Sequence, residues 1–126
     1  MTIEEGRTLR YFRRHEFACP CCGSVQFDFR MARLLDAARE IACVPFIINS
    51  AYRCPARNEA VGGSPSSSHL RGLAVDLKAP DGSTAWTIAS GLVRVGFERI
   101  GVYASHIHAD LDPDKPGRVL FYGNKA

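Results

Sequence analysis

Gly72-Leu73-Ala74-Val75-Asp76-Leu77-Lys78-Ala79 decides the fold class. Leu73, Val75 and Leu77 alternate with Ala74, Asp76 and Lys78, and a period of two is the pattern of a strand with one face on a core. The alternation recurs in His106-Ile107-His108-Ala109-Asp110-Leu111. There Ile107, Ala109 and Leu111 are expected to face inward, while His106, His108 and Asp110 share the opposite face. This second strand is predicted from about Ile100 to Leu111. A short buried run, Phe46-Ile47-Ile48, ends at Asn49-Ser50, and a last strand covers Val119 to Tyr122, with Pro113, Asp114, Pro116 and Gly117 as turn residues before it.

Two segments carry the helical period instead. Asp28 to Cys43 sets Met31, Leu34, Leu35, Ala38, Ile41 and Ala42 three and four residues apart, with Asp28 as N-cap and Val44-Pro45 as the stop. Ala85 to Val95, capped by Ser83 or Thr84 after an Asp81-Gly82 turn, puts Trp86, Ile88, Ala89, Leu92 and Val93 on one side and ends at Gly96. Residues 52–68, rich in Ser, Gly and Pro, read as a long loop with one helical turn opening at Pro55. Together these elements predict an α+β fold. It is a single domain over residues 1–126, with a mostly antiparallel sheet, two main flanking helices and a site in a cleft on the sheet. Residues 1–10 are expected to be flexible.

Composition narrows the function. The 126 residues are 46% hydrophobic and 23% charged, enough for one modest core. A formal charge of +3 is too mild for a dedicated nucleic-acid binder. No run of about 18 apolar residues is present to span a membrane. The opening MTIEEGRTLR carries acids and lacks the apolar core of a secretory signal, so the expectation is a chain that is cytoplasmic as synthesised. Five Cys without an export signal read as reduced thiols. Cys19-Pro20-Cys21-Cys22-Gly23 raises a second, structural zinc site, but paired Cys knuckles are wanted and only one cluster is visible, leaving Cys43 or His15 as distant fourth ligands. Buried or unpaired thiols are the commoner reading, and Cys54 reads as packing or as a partner for another Cys in an oxidising medium. His15 is expected to be solvated, Trp86 to lie in the core, and Tyr103 to face away from His106.

The metal chemistry starts from His69, Asp76 and one of His106 and His108. Two imidazoles and a carboxylate make a catalytic zinc shell that leaves one position for water. The residues around them are recognisable. Ser50-Ala51-Tyr52-Arg53-Cys54-Pro55, Asn58, Val61-Gly62-Gly63-Ser64, Ser68-His69, Gly72, Ala74, Asp76-Leu77, Gly96, Arg99-Ile100-Gly101, Tyr103 and His106 to Asp110 stand in the order of a known family. The chain resembles the zinc D-alanyl-D-alanine carboxypeptidase family of peptidoglycan metallopeptidases, in its carboxypeptidase-like branch. Phe17-Ala18-Cys19 is similar to the opening of short phage and prophage members.

The resemblance implies one catalytic Zn2+ held by His69, Asp76 and His108. It implies that Arg53 binds a substrate carboxylate or polarises the scissile carbonyl, that His106 is an additional active-site His, and that Ser64 and Ser68 frame the site and help to hold His69 or the substrate. Asp110 is expected to orient a His ligand. The implied activity is hydrolysis of peptide bonds in peptidoglycan stem peptides or their cross-links. The implied enzyme is a monomer without a nucleic-acid partner that reaches the wall after release, as a lysis enzyme or a virion-associated peptidase.

Several relatives carry Glu or Asp three residues before the last His ligand as general base, and here that position is Ser105. The base then falls to His106, with Asp110 or Asp112 as the next candidates. A rival reading is a non-catalytic, zinc-stabilised cell-wall-binding module of the same fold, which Ser105 favours and the retained Arg53 and His106 oppose.

Overall fold

The Asp28 side chain accepts the Arg30 N–H at 2.8 Å and the Met31 N–H at 3.3 Å, so the orphan donors of a helix start are satisfied where the sequence places the cap. The computed structural model describes residues 9–123. In chain order these form a 3-10 turn (Arg14–Phe17), α1 (Phe29–Ala42), β1 (Ile48–Ser50), α2 (Pro55–Ala60), a second 3-10 turn (Ser68–Arg71), β2 (Ala74–Lys78), α3 (Gly82–Arg94), β3 (Arg99–Val102), β4 (His106–Asp110) and β5 (Val119–Tyr122). The five strands make one sheet in the order β1-β2-β4-β3-β5. All pairs are antiparallel except β3 with β5. The α+β architecture with a mostly antiparallel sheet is therefore as the sequence implies.

One continuous core joins Val75, Leu77, Ile100, Ile107 and Ala109 of the sheet to Met31, Leu35 and Ala38 of α1 and to Ile88 and Leu92 of α3. The amino-terminal segment contributes Phe12, Phe17 and Phe27, with the Phe17 and Phe27 rings stacked at 4.5 Å. With its inner face covered in this way, the sheet has its other face free for polar groups.

Several local expectations are corrected. The predicted strand from Ile100 to Leu111 is two strands, β3 and β4, joined by a hairpin in which the Tyr103 N–H donates to the His106 carbonyl at 3.0 Å. Tyr103 and His106 therefore face each other across the turn, and their rings stack at 4.5 Å with an interplanar angle of 7°. A parity argument along one strand does not apply to them. Phe46 is buried but Ile47 is 54% exposed, so the buried run is not itself a strand and β1 begins at Ile48.

Trp86 is 73% exposed. The inward stripe of α3 runs through Ala85, Ile88, Ala89 and Leu92, and Trp86 and Val93, seven residues apart, share the shoulder beside it. Ile41 of α1 is likewise exposed. Asp81, not Ser83 or Thr84, caps α3, accepting the Thr84 N–H at 2.7 Å. Within residues 52–68 the helical turn at Pro55 extends to Ala60. The expectation for residues 1–10 lies, for its first eight residues, outside the described residues; Arg10 is tied through its N–H to Asp36 at 3.0 Å.

Gly72 is required twice over. Its φ of 69° is left-handed, and a Cβ there would collide with the carbonyl oxygen of Gln26. The backbone crossing is fixed by the Asp28 N–H donating to the Gly72 carbonyl at 3.0 Å. Gly72→Ala is expected to lower the unfolding free energy by about 1–2 kcal/mol from the left-handed backbone alone, and by more once the carbonyl must move. Chemical denaturation measures this, and an unchanged midpoint would contradict the crossing.

Candidate metal centre and catalytic site

Asp76 of β2 and His108 of β4 are direct partners in the antiparallel register, so the period of two puts both on the face of the sheet away from the core. His108 Nδ1 lies 2.9 Å from Asp76 Oδ1. His69 arrives from the second 3-10 turn, where the Ser67 side chain accepts its N–H, and its Nε2 is 3.3 Å from Asp76 Oδ2. One donor atom from each of His69, Asp76 and His108 falls within 4.8 Å of the other two. The sequence-predicted triad thus comes together from three separate segments.

The orientation of each imidazole is fixed from behind. His69 Nδ1 is 2.7 Å from the Ala51 carbonyl, which can only accept, so this nitrogen carries the proton and Nε2 is left free to face Asp76 in the neutral ring. His108 Nε2 donates to Asp110 Oδ2 at 2.7 Å, which turns Nδ1 inward. Asp110 is itself held at Oδ1 by Arg99 Nε at 2.8 Å and by the Asp112 N–H at 3.1 Å. Phe121 of β5 lies 5.7 Å from the His108 ring and backs it from β3's far side.

Burial pushes the Asp76 carboxyl up, but its interactions with the His108 and His69 rings outweigh it and hold the group well below the usual carboxylate range. For His108, burial favours the neutral ring, and the bonds to Asp110 and Asp76 reverse that, raising it. An ionised carboxylate and two imidazole nitrogens converging with their other atoms already bonded is the donor chemistry of a catalytic zinc site with one position open. The residues present therefore fit zinc.

Arg53 follows β1. Its Nε donates to Ser50 Oγ at 3.1 Å and its Nη1 to Asn58 Oδ1 at 3.1 Å, while Nη2 stands 3.5 Å from Asp76 Oδ2. The Arg53 backbone is tied to the same turn as the metal donors, its N–H donating to the His69 carbonyl at 3.2 Å. Asn58 is buried, and its Nδ2 donates to the Ser64 carbonyl at 2.9 Å. A Cβ at Gly63 would collide with Asn58 Oδ1, so the glycine makes room for the amide that aims the guanidinium.

His106 sits at the edge of the centre, its Nε2 3.9 Å from Asp76 Oδ1, backed by the Tyr103 ring. Burial pushes its imidazole down, toward the neutral form. The alternative bases are occupied. Asp110 is almost fully buried between His108 and Arg99, and Asp112 is buried against Ser68 and Arg71, whose atoms bond it at 2.7 Å and 2.8 Å.

Ser68 is also buried, its hydroxyl donating to Asp112 and accepting from Lys115 Nζ, so it supports the His69 turn from below rather than lining the cleft. Ser64 is exposed and its hydroxyl meets Ser66 at 3.0 Å. Ala51, Asn58, Gly63 and Arg99 enter the sequence reading only among the residues that carry the resemblance, and Phe121 only as part of the last strand; none is given a role of its own there. Their contributions depend on which segments meet, and only the position of Arg99 opposite Asp110 in the β3–β4 register would have pointed to one of them.

The cysteines also converge. Cys19, Cys21, Cys22 and Cys54 bring one sulfur each within 4.8 Å of one another. The fourth member is Cys54, neither Cys43 nor His15. Cys43 ends α1 in a left-handed conformation and donates to the Glu40 carbonyl. Burial pushes the Cys19 thiol up, but the backbone N–H groups of Cys54, Cys21 and Cys22 outweigh it and bring it down to about 6.

Among the described residues no helix is long and apolar enough to cross a membrane. In comparisons with known proteins, the family model described as Peptidase M15 matches residues 10–112 of the chain. No curated protein matches it.

Proposed function

Since the chain belongs to the peptidase M15 family of zinc-dependent peptidases, we propose that it hydrolyses peptide bonds in peptidoglycan stem peptides or their cross-links, as a short phage- or prophage-type enzyme of the carboxypeptidase-like branch. The observation that carries this reading is the Arg53 guanidinium, clamped by Ser50 and Asn58 and standing 3.5 Å from the Asp76 carboxylate of the metal centre. A permanently charged fork beside a hydrolytic centre suits a substrate that brings its own carboxylate, as stem peptides do.

In this mechanism His69, Asp76 and His108 would hold the ion, and the bonds to Asp110 and the Ala51 carbonyl keep the two imidazoles turned inward. Zinc bound there would lower the pKa of water to about 7 and polarise the scissile carbonyl. Arg53 binds the substrate carboxylate or the carbonyl oxygen as negative charge grows on it. His106 Nε2 takes the proton from the attacking water and returns it to the leaving amine, a role that its partial burial and the Tyr103 backing keep available. The chain acts as a monomer on the wall after release from the cell that makes it.

Positioning of Arg53 gives a graded prediction. Asn58→Ala, and separately Gly63→Ala, is expected to lower kcat/KM by about 10- to 100-fold while zinc content stays unchanged, because the guanidinium loses its aim without any loss of metal donors. Steady-state kinetics paired with metal analysis reads both quantities, and full activity in both variants would contradict the clamp.

The function itself is tested by mass spectrometry of purified peptidoglycan digested with zinc-loaded protein, beside Asp76→Ala and His106→Ala. A new stem-peptide fragment that vanishes in both variants supports the reading. Release of terminal alanine or opening of a cross-link then identifies the bond. An unchanged digest from folded, zinc-occupied protein overturns the peptidase in favour of the wall-binding module.

A further inference from the structure

We propose that Cys19, Cys21, Cys22 and Cys54 form a second metal site, a structural tetrathiolate zinc centre that fastens the amino-terminal segment to the loop carrying Arg53. The four sulfurs lie within 4.8 Å of one another, and Cys21 Sγ is 3.5 Å from Cys54 Sγ. Zinc–sulfur bonds of about 2.3 Å in a tetrahedron set sulfur–sulfur edges of about 3.8 Å. The cluster therefore reaches that geometry by adjusting its edges by about 1 Å or less, the Cys21–Cys54 edge lengthening slightly, within the reach of side-chain rotation.

The backbone is already shaped for it. Cys19-Pro20-Cys21-Cys22-Gly23 folds into a tight turn, with the Gly23 N–H donating to the Cys19 carbonyl at 2.8 Å, the Cys19 N–H donating to the Ser24 carbonyl at 2.8 Å, and Gly23 left-handed at φ 74°. The turn brings together Cys19 and Cys22, whose two-residue separation is that of a zinc knuckle. The other arm is Cys54, the N-cap of α2. Its sulfur accepts the Arg57 N–H at 3.4 Å, and its own N–H reaches Cys19 Sγ at 3.5 Å. Amides directed at sulfur favour thiolates, the form that binds zinc. Cys19 is buried, while Cys21 and Cys22 are exposed, so an ion has a path from solvent and a dry wall behind it.

A disulfide between Cys21 and Cys54 would use only two of the four sulfurs and leave Cys19 and Cys22 unexplained. Zinc takes all four, releasing thiol protons as it binds. Cys54 is next to Arg53, so the same ion would hold one end of the loop whose other contacts, Ser50 and Asn58, aim the guanidinium. The centre is thus a positioning device for a residue that it does not touch.

The test is metal analysis of protein purified under reducing conditions, together with the absorption spectrum of the cobalt-substituted protein. Two zinc ions per chain are expected, falling to one in Cys54→Ser and to one in Asp76→Ala. Cobalt should give an intense thiolate-to-metal charge-transfer band in the unmutated protein and in Asp76→Ala. The unmutated spectrum keeps the test independent of whether Cys54→Ser folds. A single zinc that survives Cys54→Ser, the absence of any thiolate–cobalt band, iron in place of zinc, or a Cys21–Cys54 disulfide in the reduced preparation would each overturn the proposal. None of these readouts uses hydrolysis, so failure of this centre and failure of the peptidase reading are told apart.

Discussion

Asp76→Ala is expected to remove the ion from the His69–His108 centre and to reduce hydrolysis by about a thousand-fold or more. Asp76 is the hub of the site. Its two oxygens meet His108 Nδ1 at 2.9 Å and His69 Nε2 at 3.3 Å, and Arg53 faces it at 3.5 Å. Without the carboxylate, only the two imidazoles remain and Arg53 faces the space intended for a cation, so both a ligand and the compensating charge are lost together. Metal-supplied stabilisation of a developing oxyanion is worth several kcal/mol, and each 1.36 kcal/mol is about tenfold in rate. Zinc content, circular dichroism and kcat measured on one preparation decide the matter. A folded, inactive protein that has lost the ion of the His69–His108 centre and keeps only the one at the cysteines is the expected outcome; undiminished zinc with retained turnover would contradict the assignment of Asp76.

The second large effect falls on Arg53. Arg53→Gln is expected to lower kcat/KM by about 100- to 1,000-fold with zinc unchanged, the scale seen when an electrostatic contact at the reacting group is removed. Arg53→Lys is expected to rescue little. Lysine has no planar fork with which to bond Ser50 and Asn58 and still present a second nitrogen toward Asp76. The partition of the loss also reports the role. A rise in KM at constant kcat identifies a carboxylate clamp, whereas an equal fall in kcat and kcat/KM places the guanidinium on the carbonyl in the transition state. Unaltered kcat/KM in Arg53→Gln would contradict both roles.

Period-two alternation made β2 and β4 legible. It fixes the face on which a side chain stands whatever its partner strand, so Asp76 and His108 could be assigned to one polar surface before any pairing was known. The hairpin between β3 and β4 was not legible, because Tyr103-Ala104-Ser105 lacks the Gly, Asn or Asp that usually marks a tight turn. Missing it reversed the expected relation of Tyr103 to His106. Trp86 shows a different limit. Periodicity identifies the apolar side of α3 but not how wide a stripe its neighbours cover, and Trp86 stands just beyond that stripe.

The partners that orient the site were hidden for a third reason. Asn58 and Arg99 act on groups that only the topology brings near, and Cys54 stands 32 or more positions along the chain from the other cysteines that it joins. Local patterns name the ligands; the contacts that aim them belong to the assembled sheet.

The central claim is that His69, Asp76 and His108 together hold one catalytic zinc ion. Anomalous diffraction at the zinc edge, from crystals of the zinc-loaded protein, tests it most directly. The account predicts a strong peak enclosed by His69 Nε2, His108 Nδ1 and the Asp76 carboxylate, with Asp110 still bonded to His108 Nε2. Crystals of zinc-loaded protein with no peak at that position, including a map whose only zinc lies among the cysteines, would contradict it.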